Sequence, residues 1–313
     1  MKSSSPNWKT LAFHREYHSF QGGHLKVWHY FCHAKESAVF RPMIHFSPDS
    51  VLDGTNPWIC AGEPVQSTWE PDKFDIFLLA GMDWKVVPEP CTKPVLNLIQ
   101  GFRHTDSGDP RFQFLKRRAT RICVSGEVAD AVLSTGKANG PVLTIPAALD
   151  LERFPEPPPV RDIPILIVGL KRPGLAEEIA ADLKASGVEP VCLTQFLPRW
   201  DFLRLLGRSV ATIFLPLEKE GFYLPALEGM AMGTMVVCPD CLGNRGFCLD
   251  GVNCLWPNSD KESILAAVHR AVRLPASSQE ALKKAAQKTV NEHQLSREKE
   301  SFLEILDQVE DSI

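Results

Sequence analysis

The sequence predicts an α/β protein made of two doubly wound domains. Short apolar runs rich in Ile, Leu, Val and Phe alternate with longer amphipathic stretches, the alternation stops once in a proline-dense segment and restarts, and no sequence repeat interrupts it. Apolar runs of this length read as strands buried on both faces of a parallel sheet, and the amphipathic stretches between them as the covering helices.

In the first half, strands are expected at residues 10–14, 43–46, 74–79, 95–100, 121–124 and 142–145, with helices between them. Prolines 155, 157, 158, 159 and 164 then crowd a charged, poorly periodic stretch that follows a break at Pro146. Such a stretch supports neither helix nor central strand. It sets the expected organisation: a first domain over residues 1–152, a linker over 153–162, a second domain over 163–294 and a terminal helix over 295–313. In the second domain, strands are expected at 163–168, 190–193, 211–216 and 235–238, and helices at 175–186, 200–207 and 225–232. Further helices run from about Lys261, with Ser259 or Asp260 as N-cap, through Leu274, and again from Gln279 onward. Two such domains facing a cleft form a ligand-binding architecture.

Composition narrows the function. The 313 residues are 44% hydrophobic and 23% charged, as in an ordinary globular protein. A net charge of −4 argues against nucleic acid as a partner. The nine cysteines are odd in number and scattered through apolar runs, and read as reduced core thiols. Residues 1–6 lack the apolar core of a signal peptide, and the longest apolar runs, 163–170 and 74–80, fall short of a membrane span, so the expected location is the cytoplasm. Two minor readings stand beside this. Cys238, Cys241, Cys248 and Cys254 could be drawn as a zinc site, although their spacing departs from paired knuckles. The basic and apolar stretch 111–118 could touch a membrane surface, although a half-buried helix with a solvated basic face is the favoured reading.

The most informative stretch is Glu220-Gly221-Phe222-Tyr223-Leu224-Pro225, continuing through Ala226-Leu227-Glu228-Gly229 to a strand at 235. Pro225 is preorganised for a first helical turn, which puts Glu220 on the loop leaving a strand and Glu228 on the helix, eight residues on. A phosphate is stabilised at such a helix start, and flanking carboxylates can accept hydrogen bonds from sugar hydroxyls.

This segment resembles the E-x7-E signature of retaining glycosyltransferases with the GT-B fold, in particular family 4 of the group 1 glycosyl transferases. Residues 142–154, 121–133 and 250–255 carry further resemblance, so that it spans roughly residues 120–270. The first 90 residues match only through Gly22-Gly23, placed like the family's Gly-Gly loop. The resemblance implies two Rossmann-like domains facing a cleft, with the C-terminal helices crossing back to the first domain. It also implies that Glu228 binds the ribose hydroxyls and Glu220 a donor-sugar hydroxyl, with backbone N–H groups of Gly221, Phe222 and Leu224 approaching the sugar and pyrophosphate. Tyr223 replaces the family's usual glycine, where a side chain could crowd the donor or stack on it. Lys171 and Arg172 lie near the family's phosphate-binding Arg and Lys, with Leu170 in the usual Arg place; cations there lower the barrier for a departing nucleotide.

In the first domain Gln100 takes the place where many relatives carry a His, and can bond a sugar hydroxyl but cannot shuttle a proton. Arg103, His104 and His24 are acceptor-side candidates, each also readable as a plain polar loop residue. Asp-x-Asp is absent, which agrees with metal-independent chemistry, and no cofactor beyond the donor is expected. The implied function is a retaining transfer of a hexose from a nucleotide sugar to a glycan, lipid-linked or small-molecule acceptor. A non-catalytic nucleotide-sugar binder and a GT-B epimerase are the alternatives. A dinucleotide-dependent oxidoreductase is disfavoured because no G-x-G-x-x-G follows either opening strand.

Overall fold

The protein is described from a computed structural model that covers residues 8–310. Residues 1–7, which include the stretch read above for a leader, and residues 311–313 lie outside the described residues.

The chain forms β1 (Lys9–Arg15), α1 (Gly22–Lys35), β2 (Phe40–Phe46), α2 (Pro57–Cys60), β3 (Ile76–Ala80), β4 (Val95–Ile99), α3 (Arg111–Phe114), β5 (Thr120–Cys123), α4 (Gly126–Ser134) and β6 (Val142–Thr144). It continues as β7 (Ile163–Val168), α5 (Pro173–Ala185), β8 (Val191–Leu193), α6 (Arg199–Arg208), β9 (Ser209–Phe214), α7 (Leu224–Ala231), β10 (Met235–Val237), α8 (Lys261–Arg273), α9 (Ala276–Glu292) and α10 (Leu295–Glu310). These elements divide into two compact units, residues 1–146 with 296–313, and residues 147–295.

The first unit is a six-stranded parallel sheet in the order β2-β1-β3-β4-β5-β6, so the order reverses between β1 and β3. Strands β3 and β4 are buried along their whole length, as their unbroken apolar runs require. β2 starts at Phe40, earlier than its apolar run suggested; it is an edge strand, where the missing N–H of Pro42 removes nothing from the ladder. The expected helices between strands are realised as α1 and α4. The β2–β3 and β3–β4 connections hold only α2 and 3-10 turns at Pro71–Lys73 and Asp83–Val86. Prolines 57, 64, 71, 88, 90 and 94 punctuate those connections and keep regular helices from forming.

The second unit is a four-stranded parallel sheet in the order β10-β9-β7-β8, reversing between β7 and β9. Alternate residues of β7 feed opposite faces. Leu166 and Val168 join a core with α6, α7 and α9, while Ile165 and Ile167 join one with α5 and α8. Residues 147–162 pack with this unit: Leu149 is buried, Phe154 lies against the core, and the Arg161 guanidinium donates to the carbonyls of Gly207, Ser209 and Met232. Asp260 caps α8 by accepting from the Ser263 N–H.

The helical tail is two helices, broken at His293-Gln294, where Leu149 donates to the His293 carbonyl and accepts from the Leu295 N–H. α10 belongs to the first unit. Its buried Glu298 accepts from Lys26 Nζ at 2.5 Å and lies 3.1 Å from His33 Nε2, and Phe302 meets the Tyr30 ring edge-on at 4.8 Å.

Candidate functional site

In parallel α/β sheets, ligands bind beyond the carboxyl ends of the strands where the strand order reverses. In the second unit that point lies at the ends of β7 and β9. The loop leaving β7 is drawn tight because Gly169 lets the chain pass Ala176, whose Cβ would lie 2.2 Å from a Cβ at position 169. The loop leaving β9 is fixed by a short parallel pairing. The Glu220 N–H donates to the Cys241 carbonyl and the Tyr223 N–H to the Gly243 carbonyl, both at 3.0 Å. Gly243 is required here, since a Cβ would come within 2.4 Å of the Glu220 carbonyl oxygen.

The two loops bring Lys171 to Glu220. Lys171 Nζ stands 2.6 Å from both carboxylate oxygens, and the Leu217 N–H donates to one of them at 3.1 Å. Lys171 is 43% exposed and Glu220 only 13%, so the cation lies outermost in the pair. Arg172 goes elsewhere and donates to the Ser259 carbonyl. The expected pair of basic residues is thus divided between two tasks.

Glu228 projects from α7 and is 3% exposed. Its partner is Arg199, the first residue of α6, whose guanidinium donates to the carboxylate and lies 5.6 Å from the Phe154 ring centroid. Sequence reasoning missed Arg199, because it belongs to no motif and meets Glu228 only through the packing of α6 on α7.

Tyr223 does not stand in the loop's open space. Its ring is buried in the core, edge-on to Phe214 at 6.2 Å, with Lys171 Nζ 5.9 Å from its centroid, and burial pushes its hydroxyl well above the ordinary tyrosine range. Phe222 stacks on Phe247 at 5.0 Å, Gly221 is buried, and the Leu224 N–H donates to the Phe222 carbonyl.

In the first unit, the ends of β1, β3 and β4 gather several expected residues. Gln100, half-buried after β4, donates from Nε2 to the Gly23 carbonyl at 3.1 Å, and Gly22-Gly23 open α1. His24 follows on the first turn. Two unexpected residues join it: Arg15, at the end of β1, bonds Asp83 at 2.6 Å and reaches His24 Nδ1 at 3.1 Å. Burial pushes the Asp83 carboxyl above its ordinary value against the pull of Arg15. Arg103 is exposed in the turn after β4, whereas His104 is 3% exposed and held down to about 4 by burial.

The remaining motifs resolve as structure. Cys238, Cys241, Cys248 and Cys254 are all buried, and burial pushes the Cys238 thiol well above its ordinary value. Among the described residues no three His, Cys, Asp or Glu side chains are set to hold a metal ion. In the basic stretch only Arg111–Phe114 is helical; Arg117 donates to the carbonyls of Trp84, Val87 and Pro88, and Arg121 is wholly buried among carbonyls. No described helix is long and apolar enough to cross a membrane.

The fold and this site define a two-unit protein of the GT-B class. Residues 148–273, which lie wholly within the second unit, match the family Glycosyl transferases group 1. No curated protein matches the chain. Solved structures do. The chain is similar to HepE of Anabaena in complex with UDP and glucose (TM-score 0.77, 11% identity, 96% of this chain and 100% of that one). It is also similar to a sucrose-phosphate synthase from Thermosynechococcus elongatus (TM-score 0.71, 12% identity, 97% and 100%) and a glycosyltransferase from Rickettsia africae (TM-score 0.71, 15% identity, 97% and 99%). At these identities the likeness establishes the fold.

Proposed function

We propose that the chain is a retaining, metal-independent glycosyltransferase that moves a hexose from a nucleoside diphosphate sugar to a hydroxyl acceptor. The observation that carries this reading is Lys171 on both oxygens of Glu220 at the strand-order reversal of the second unit. An incoming diphosphate competes for the exposed Lys171, and Glu220, relieved of its cation, accepts a hydrogen bond from a donor-sugar hydroxyl. Negative charge grows on the diphosphate as the sugar C1–O bond breaks, and a cation already in place stabilises that charge. The acceptor oxygen bonds to C1 on the face the diphosphate leaves, and its proton passes to the departing phosphate oxygen. Glu228 takes the ribose hydroxyls once Arg199 has moved aside. Lys171 and the absence of Asp-x-Asp support a reaction without metal.

A nucleotide-sugar binder without turnover is the second reading. The contact of Arg199 with Glu228 favours it, because it occupies a carboxylate the donor needs. A thermal-shift screen of nucleoside diphosphates and their glucose conjugates, repeated on Glu228→Ala, tests the pocket, and product analysis separates the readings. A ligand at a hundred times its Kd adds about 2.7 kcal/mol to stability. No shift with any nucleotide would sink both readings; a shift without sugar transfer would leave the binder.

A further inference from the structure

Building on the transferase reading, we infer that His24 is a fixed, neutral Nε2–H donor for an uncharged sugar hydroxyl of the substrate, and that Arg15 and Asp83 are positioning residues that hold it in that form. The three residues meet where the strand order of the first unit reverses. Asp83, in the turn after β3, is 7% exposed and accepts from the Ala80 N–H at 2.9 Å and from Arg15 at 2.6 Å. Those bonds, with a further one from Arg15 to the Ala80 carbonyl, orient the guanidinium. Its other terminal nitrogen lies 3.1 Å from His24 Nδ1.

A guanidinium can only donate, so Nδ1 must present its lone pair. A neutral imidazole carries one proton, and it is therefore on Nε2. The neutral form is secure: burial first, then the charge of Arg15 and the proximity of His18, lower His24 to about 4, and the buried Tyr17 ring packs on it at 4.8 Å. Among the described residues Nε2 has no hydrogen-bond partner, although His24 is half-buried. A donor is left over.

The charge of the cluster selects its ligand. Arg15 is balanced by Asp83 and His24 is neutral, so the group offers a hydrogen bond without net charge, which suits a hydroxyl better than a phosphate. Gln100, tied to Gly23 beside it, adds a carbonyl oxygen and an amide of the same neutral character. With its lone pair engaged, His24 cannot take the acceptor's proton, so that proton leaves by another route.

The test uses the full chain labelled with ¹⁵N-histidine, glucose as the neutral probe and inorganic phosphate as the charged one. NMR should find the Nε2–H tautomer of His24 between about pH 5.5 and 8, with glucose moving its Nε2–H signal and phosphate leaving it in place. Arg15→Met should mix the tautomers and raise the midpoint toward the ordinary histidine value. Should that variant fail to fold, the Arg15→Met/Asp83→Asn pair removes both charges together. With UDP-glucose as donor and glucose as acceptor, His24→Ala should raise the acceptor KM about tenfold with kcat little changed. His24→Gln, whose Nε2 can occupy the place of the imidazole Nε2, should recover most of that loss. An Nδ1–H tautomer, a signal moved by phosphate but not by glucose, or equal losses in the Gln and Ala variants would overturn the inference. The expected tautomer and glucose response in a chain that binds none of the screened nucleoside diphosphates or their glucose conjugates would support the His24 assignment and sink the transferase reading.

Discussion

In the proposed reaction Lys171 and Glu220 act in opposite senses. Lys171→Met should weaken binding of a nucleoside diphosphate about tenfold by removing a charge-assisted bond. Glu220→Gln frees Lys171 and should leave diphosphate affinity equal or higher while turnover falls; isothermal titration and initial rates separate the two effects. Arg199 makes a different prediction. Removing it leaves the nearly buried Glu228 uncompensated, so Arg199→Met should lower the unfolding free energy by about 2 kcal/mol, a value discounted for the partial exposure of Arg199. Glu228→Gln in the same chain should restore most of the loss in urea titrations. Glu220, Glu228 and Lys171 were legible because each sits in a local pattern of glycine, proline and strand. Arg199 and Glu228 are 29 residues apart, and Arg15 and Asp83 are 68 apart, so only the assembled sheet brings either pair together.

At the scale of elements, apolar runs located the strands because parallel strands are covered on both faces. The covering itself was harder to read. Prolines replace two expected helices with turns in the first unit, and the length of an amphipathic stretch does not reveal where an incoming segment will break it, as Leu149 breaks the tail between α9 and α10. Helix α10 carries its own prediction. Glu298 is buried between Lys26 and His33, so Glu298→Ala strands a buried ammonium and should cost about 3–5 kcal/mol. The loss should appear in the unfolding of the first unit and leave nucleotide binding to the second unit unchanged.

For the whole molecule, acid should weaken the first unit. His14, His24 and His104 are each lowered to about 4, mainly by burial, against an ordinary 6.5. Between those values the unfolded chain holds more protons than the folded one, so stability is complete above about pH 6.5 and is lost as pH falls toward 4. At pH 5 the loss is of the order of 2 kcal/mol per residue. Burial pushes Glu298 up, but Lys26 and His33 more than offset it and hold the carboxyl below its ordinary value, so its contribution too is lost at still lower pH. Five of the seven tryptophans, at 8, 28, 58, 69 and 84, lie in the first unit, so their fluorescence in urea at pH 7 and pH 5 measures it directly. A midpoint that does not move with pH would contradict the burial of these histidines.

The family match covers only the second unit, and the first 90 residues of the first unit resembled the family only through Gly22-Gly23. The reason is spacing. Apart from Lys171, the proposed diphosphate and ribose contacts fall in one continuous stretch of loop and helix start, whereas the candidates of the first unit, Arg15, His24, Asp83 and Gln100, are scattered from position 15 to position 100 and meet only in the folded sheet.

The return of α10 to the first unit also sets an order of events on the ribosome. Residues 147–295 emerge as an unbroken segment and can close their own core, while the first unit, although synthesised earlier, lacks Glu298 and Phe302 until residues 296–310 are out. Domains usually mature in the order in which they are translated. Here the second unit should reach its native state first, with Lys26 and His33 waiting for Glu298 of α10. Released chains ending at residue 295 should resist protease in the second unit and be cut in the first.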